Sequence, residues 1–97
     1  MGVLFVISES QDSTTVFGVA ERMARSGEKI DLMFTEEACC HVCDPKLVGS
    51  LSFAGVYCLE SDLEQVEREN RVEGVRLLDY SGWMELVEAN EKIVSWT

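Results

Sequence analysis

Along this chain, continuous apolar runs alternate with apolar positions at helical spacing, the first suiting buried strands and the second amphipathic helices. Gly2-Val3-Leu4-Phe5-Val6-Ile7-Ser8 is an unbroken apolar run with a polar stop. A run of this kind needs both faces covered, so residues 3–7 are expected as the central strand of a parallel sheet. Asp12 and Ser13 are candidate N-caps for the segment that follows. There Val16, Val19, Ala20, Met23 and Ala24 recur at helical spacing, and Gly27 is a stop signal. Lys29 to Phe34 predicts a second strand. Strand, helix and strand in this order form a βαβ unit, whose crossover is expected to be right-handed.

Residues 35–43 read as a short helical turn with Thr35 as its cap, and Asp44-Pro45 as a fresh start, Asp at the N-cap and Pro in the first helical position. Leu47, Val48 and Leu51 give this second piece one apolar face, and Gly55 is read as its break. Residues 56–59 predict a third strand. Ser61-Asp62-Leu63-Glu64 has the form of a capping box, which predicts a helix running to about Asn70. Residues 75–78 predict a fourth strand. Ser81 is placed to cap a last helix with Trp83, Leu86, Val87 and Asn90 on one face. The tail, residues 92–97, is apolar enough to dock as a fifth strand. The alternation predicts a three-layer α/β/α fold around a mainly parallel five-stranded sheet. At 97 residues the chain is expected to be one domain, 1–97.

Charge narrows the function classes. Eight Lys and Arg against eighteen Asp and Glu leave a net charge of -10. Tracking phosphates needs clustered positive charge, so no direct nucleic-acid binding is expected, and an anionic membrane would repel the chain. The longest apolar run is far too short to span a bilayer. It lacks a basic flank and a small-residue cleavage site, so it does not read as a signal peptide, and a cytoplasmic protein is expected.

In open parallel sheets, ligands bind beyond the carboxyl ends of the strands. Those ends carry Ser8-Glu9-Ser10, Thr35-Glu36, Cys58-Leu59-Glu60 and Asp79-Tyr80. Residues 8–12 contain no Gly, which excludes the dinucleotide fingerprint, and there is no P-loop or hydrolase elbow. No organic cofactor is expected.

The informative chemistry is sulfur. Cys39, Cys40 and Cys43 crowd into one segment, and Cys58 stands apart, so the four cysteines do not resemble a disulfide framework. On an α-helix Cys39 and Cys43, and likewise Cys40 and Cys43, would share a face. Three readings stay open. Cys39, Cys40 and Cys43 are candidate sulfur carriers, as persulfide or redox-active thiols. Alternatively they are small apolar side chains in a core. Or they bind metal together with His41 or Cys58. Glu36 and Glu37 oppose thiolate formation, so only modest activation is expected. Cys58, in an apolar strand, reads as core. His41 is either a base beside the thiols or a surface histidine. Trp83 and Trp96 read as packing residues, in the core or at a subunit contact.

The C-terminal half resembles a known family. Val56-Tyr57-Cys58-Leu59-Glu60-Ser61-Asp62-Leu63 is similar to its segment VY-x-L-x-x-DL. Leu77-Leu78-Asp79-Tyr80-Ser81-Gly82-Trp83 is similar to LIDY-x-G-F, and Val94-Ser95-Trp96 resembles its terminal AW. These segments, in order, resemble the DsrH/TusB-like branch of the DsrE/DsrF/DsrH sulfur-relay superfamily. The resemblance implies a five-stranded α/β/α fold. It also implies assembly with DsrE-like and DsrF-like paralogues, and persulfide relay toward 2-thiolation of the tRNA wobble uridine or in sulfur oxidation. Some members of the branch carry a Cys in the first helix. Here that region holds Phe17, Gly18 and Val19, so that position does not carry over. The 39–43 cluster has no counterpart in the family pattern, and its role rests on its own chemistry. An oligomer, with such paralogues or with itself, is expected from apolar groups in residues 47–53 and around Trp96.

Overall fold

The computed structural model describes residues 2–9 and 13–96. Five strands, β1 (Gly2–Ile7), β2 (Lys29–Phe34), β3 (Ala54–Leu59), β4 (Arg76–Leu78) and β5 (Lys92–Trp96), form one sheet in the order β4-β3-β2-β1-β5. Every pairing is parallel. The helices are α1 (Ser13–Arg25), α2 (Pro45–Ser50), α3 (Gln65–Asn70) and α4 (Tyr80–Ala89), with a 3-10 helix at Glu36–Cys43 and a short one at Glu60–Asp62.

The strand order explains where the helices lie. From β1 to β4 the chain steps across the sheet in one direction, and β5 then returns to the far side of β1. With right-handed crossovers, that reversal moves α4 to the face opposite α1. The packing agrees. Val16, Phe17 and Ala20 of α1 join Val3, Phe5, Ile7, Leu32 and Phe34 in the larger core. Leu86 of α4 joins Leu4, Met33 and Leu59 in a smaller one. The result is the compact α/β fold expected, with helices on both sides of a parallel sheet.

β1 is an interior strand, paired on both sides, with Leu4 fully buried and Val6 half-buried. The middle of the sheet, however, is β2, where every residue from Ile30 to Phe34 is buried. One of these is an aspartate. Asp31 Oδ2 accepts from Asn90 Nδ2 at 3.1 Å, and the same amide donates to the Leu86 carbonyl at 2.9 Å. This pair anchors the end of α4 to the central strand. A buried carboxylate without such a partner would be strongly unfavourable.

Several local expectations need correcting. Gly55 does not break α2; it lies inside β3, where a Cβ would sit 2.6 Å from Asp31 Oδ1 and 3.0 Å from the Tyr57 ring. α2 ends earlier, at Ser50, and starts as expected, with Asp44 accepting from the amides of Lys46 and Leu47. The Ser61 capping box does not form. Glu64 and Glu67 make the box instead, and α3 begins at Gln65. Ser81 does not cap α4; Asp79 does, accepting from Gly82 N at 2.7 Å. Gly27 follows α1 at φ 95, a conformation that glycine adopts without a steric penalty. Asp12, the other cap candidate, lies outside the described residues.

Candidate functional site around the 39–43 cysteines

The cysteine segment is a 3-10 helix, Glu36–Cys43, where an α-helical turn was expected. Three residues per turn, rather than 3.6, align every third side chain. Beyond exposed Glu36 at its start, burial follows that period. Cys39 and Val42 point inward, at 2% and 0% exposure. Glu37, Cys40 and Cys43 form the outer row, the first two exposed and Cys43 half-buried. Ala38 and His41 form the third row. The expectation that Cys39 and Cys43 share a face is therefore wrong, because in this helix they stand about 120° apart. Cys40 and Cys43 do share one.

The helix lies over the carboxyl ends of the strands, where a site was expected. Thr35 N donates to the Ile7 carbonyl at 3.0 Å, and Ala38 N to the Ser8 carbonyl at 3.3 Å. On the other side, Val72 N donates to the Val42 carbonyl at 2.7 Å. Thr35 starts the helix through its carbonyl, which accepts from Ala38 N at 3.1 Å, and not through a side-chain cap.

Each cysteine has a distinct setting. Cys39 Sγ donates to the Phe34 carbonyl at 3.5 Å and lies 3.1 Å from Cys58 Sγ. Cys58, on β3, is fully buried, in line with its reading as a core residue. Contact with Cys58, then burial, push the Cys39 thiol well up from its ordinary value. Cys43 Sγ donates to the Glu67 carbonyl oxygen at 3.5 Å. Burial first, then the Glu67 carboxylate and Cys40, raise the Cys43 thiol. Cys40 is raised by burial and by its neighbour Cys39, with Glu67 and Glu37 adding smaller contributions. Burial comes first at both outer thiols, and carboxylates add to it: Glu67 from α3 at both, and, of the two glutamates expected to oppose thiolate, Glu37 at Cys40.

His41 is not a simple surface residue. Its ring packs edge-on against Phe17 and Phe34, with centroids 5.9 and 5.8 Å away. Burial lowers its pKa, and Asp44 partly offsets this.

Among the described residues, no three His, Cys, Asp or Glu side chains are grouped to hold a metal ion. Cys39 and Cys40 diverge, one into the core and one to solvent, so a site joining them with Cys43 and His41 or Cys58 does not assemble here.

The sequence reading missed three features. It treated Cys58 as separate from the cluster, although the parallel register sets Cys58 beside Phe34, whose carbonyl already receives Cys39. It missed Glu67, which approaches only through the packing of α3. It also missed the exposed apolar groups of α4, although the tail it named does expose Ile93. Leu51 is buried, and Leu47, Val48, Phe53 and Trp96 pack on the larger core. Tyr80, Met84 and Ile93 are the exposed ones here, together with Val66 on α3. Tyr80, Met84 and Ile93, with Val6, Trp83 and Val87, line a groove of about 560 Å³ between α4 and the edge strand β5. Tyr80 and Trp83 stack there, with centroids 6.2 Å apart.

No family model and no curated protein matches the chain. Among the described residues, no helix is long and apolar enough to cross a membrane.

Proposed function

We propose that the chain is a small cytoplasmic sulfur-relay subunit of the DsrH/TusB-like kind, holding persulfide sulfur on its outer cysteine row. The observation that supports this most is the exposure of Cys40, beside half-buried Cys43, above the carboxyl ends of a parallel sheet. Cys39 joins the candidates in sequence only, because its sulfur faces the core. In the transfer step, the Cys40 thiolate attacks the outer sulfur of a donor persulfide. The new S–S bond leaves a persulfide on Cys40, and the donor departs as a thiolate. The acidic surroundings favour a reading in which a partner supplies positive charge, as an assembly with DsrE-like and DsrF-like paralogues would. The end use would be tRNA wobble uridine 2-thiolation or sulfur oxidation.

Exposing the reduced protein to inorganic polysulfide, followed by mass spectrometry of alkylated peptides, tests the assignment. Gain of one sulfur on Cys40 or Cys43, lost in Cys40→Ser with Cys43→Ser, is the expected result. Sulfur uptake that survives both substitutions, or none at all, overturns it.

A second reading is a non-catalytic assembly subunit, and it is favoured by the raised thiols and by the apolar groove at Tyr80, Met84 and Ile93. It predicts oligomers, or association with paralogues, that Ile93→Asp disrupts and Cys40→Ser does not. Light scattering at micromolar concentration separates the two variants.

A further inference from the structure

We infer that Cys39 and Cys58 form a redox-modification site, closing into an intramolecular disulfide under a hydroperoxide and so tying the 3-10 helix to β3. The geometry carries the inference. The two sulfurs are 3.1 Å apart and belong to elements 19 residues apart in sequence. A disulfide bond is about 2.05 Å long, so closure asks for an approach of about 1 Å. Both side chains are enclosed in the larger core, at 2% and 0% exposure. Bulky thiol reagents are kept out, while each sulfur has the other in contact. Cys40 and Cys43 lie on the outer row and do not compete for Cys58.

The chemistry balances with the peroxide as oxidant. One thiolate attacks the peroxide O–O bond, giving a sulfenic acid and hydroxide, which takes up a proton. The second thiol then attacks the sulfenic sulfur, forming the S–S bond and releasing water. Two thiols lose two electrons and two protons, and hydrogen peroxide becomes two waters. Only a small oxidant suits so enclosed a setting. The raised Cys39 thiol makes the reaction slow at neutral pH and faster in mild alkali. This site is independent of sulfur carriage, which involves Cys40 and Cys43, so either idea can fail alone.

The test uses the full chain with Cys40→Ser and Cys43→Ser, treated with hydrogen peroxide after reductant is removed. Non-reducing digestion and mass spectrometry should find the Cys39 peptide joined to the Cys58 peptide within a monomer, two hydrogens lighter and separable by dithiothreitol. The melting temperature should rise by on the order of 10 °C, because the crosslink restricts the unfolded chain, and Cys58→Ala should abolish the rise. If Cys58→Ala does not fold, the peptide map of the wild-type chain decides. Persistence of both thiols, sulfinic acid at either position, or crosslinking only between molecules overturns the inference. A crosslink without a rise in melting temperature overturns the tether.

Discussion

Asp62 accepts a hydrogen bond from the backbone N–H of Glu36 at 2.8 Å, across 26 residues of sequence. Glu36 has φ 52, the only positive value at a non-glycine position among the described residues. It begins the helix that carries the cysteines. Left-handed backbone costs an L-residue about 1–2 kcal/mol, and a hydrogen bond to a charged acceptor returns about 1.5–3 kcal/mol. The two terms nearly cancel, so the entry to the helix is held by a non-local contact.

Asp62→Ala should therefore lower stability by about 1–2 kcal/mol, and Asp62→Asn, which keeps an acceptor, by less. Glu36→Gly should regain up to about 1 kcal/mol in the Asp62→Ala background, because glycine adopts this φ freely. Urea unfolding of wild type, Asp62→Ala, Glu36→Gly and the double variant measures the coupling. Independent, additive effects would show that the contact does not hold this conformation.

The glycines offer a matched pair. Gly55→Ala puts a methyl 2.6 Å from Asp31 Oδ1 and 3.0 Å from the Tyr57 ring, inside a sheet that cannot widen. Overpacking of this kind costs about 1–3 kcal/mol. Gly18, within α1, has open space where a methyl would stand, with nothing inside 4 Å, so Gly18→Ala should stabilise by about 0.5–1 kcal/mol. Thermal melts of both variants should move in opposite directions.

These contrasts show what was legible in the sequence and why the rest was not. The run Lys29–Phe34, the Asp44-Pro45 start and the Trp83, Leu86 and Val87 face are local patterns, and the structure keeps them. The Ser61 box is also a local pattern, yet Asp62 is drawn to Glu36 and buried Leu63 holds the chain extended, so α3 starts later. Gly55 reads as a breaker until Asp31 is known to lie beside it. At the site, the outward position of Cys40 depends on a 3-10 pitch that periodicity over eight residues does not separate from an α-helix. Cys39 meets Cys58 only through strand register.

Cys39 gives the fold an alkaline weakness. Its thiol is raised in the folded chain from an ordinary value of 9.0. Above that pH the unfolded chain releases the proton and the folded one keeps it. Stability is thus full below the ordinary value and declines as pH rises past it toward the folded value, by up to about 1.4 kcal/mol per pH unit for one proton. Urea midpoints across this range should fall more steeply for the wild type than for Cys39→Ala. Parallel slopes would refute this.

His41 acts at the other end of the scale. Its pKa is lowered from 6.5, chiefly by burial against Phe17 and Phe34. As pH falls through the ordinary value, the unfolded chain takes up a proton that the folded chain resists. Stability present above that value is lost below it. His41→Leu should flatten this part of the stability profile relative to wild type, while the carboxylate-driven loss at lower pH stays. Equal profiles near the ordinary histidine value would count against the packed neutral ring.

Glu67 separates electrostatics from structure at the outer cysteines. Its carboxylate raises both the Cys43 and the Cys40 thiol, ranking directly after burial at Cys43 and behind burial and Cys39 at Cys40. It also accepts from Glu64 N at 3.0 Å, closing the capping box of α3. Glu67→Gln keeps an acceptor for that amide and removes the charge. The helix should persist, with thermal stability changed by less than about 0.5 kcal/mol. Cys43 should then label faster with iodoacetamide near neutral pH, because a larger thiolate fraction is present. Cys40 should follow to a smaller extent, and Cys39 should remain protected by burial. Glu67→Ala removes both functions, so it should speed labelling and also destabilise α3. If Gln leaves the Cys43 rate unchanged while Ala raises it, fraying of the helix controls access, and the carboxylate does not govern thiol reactivity at this site.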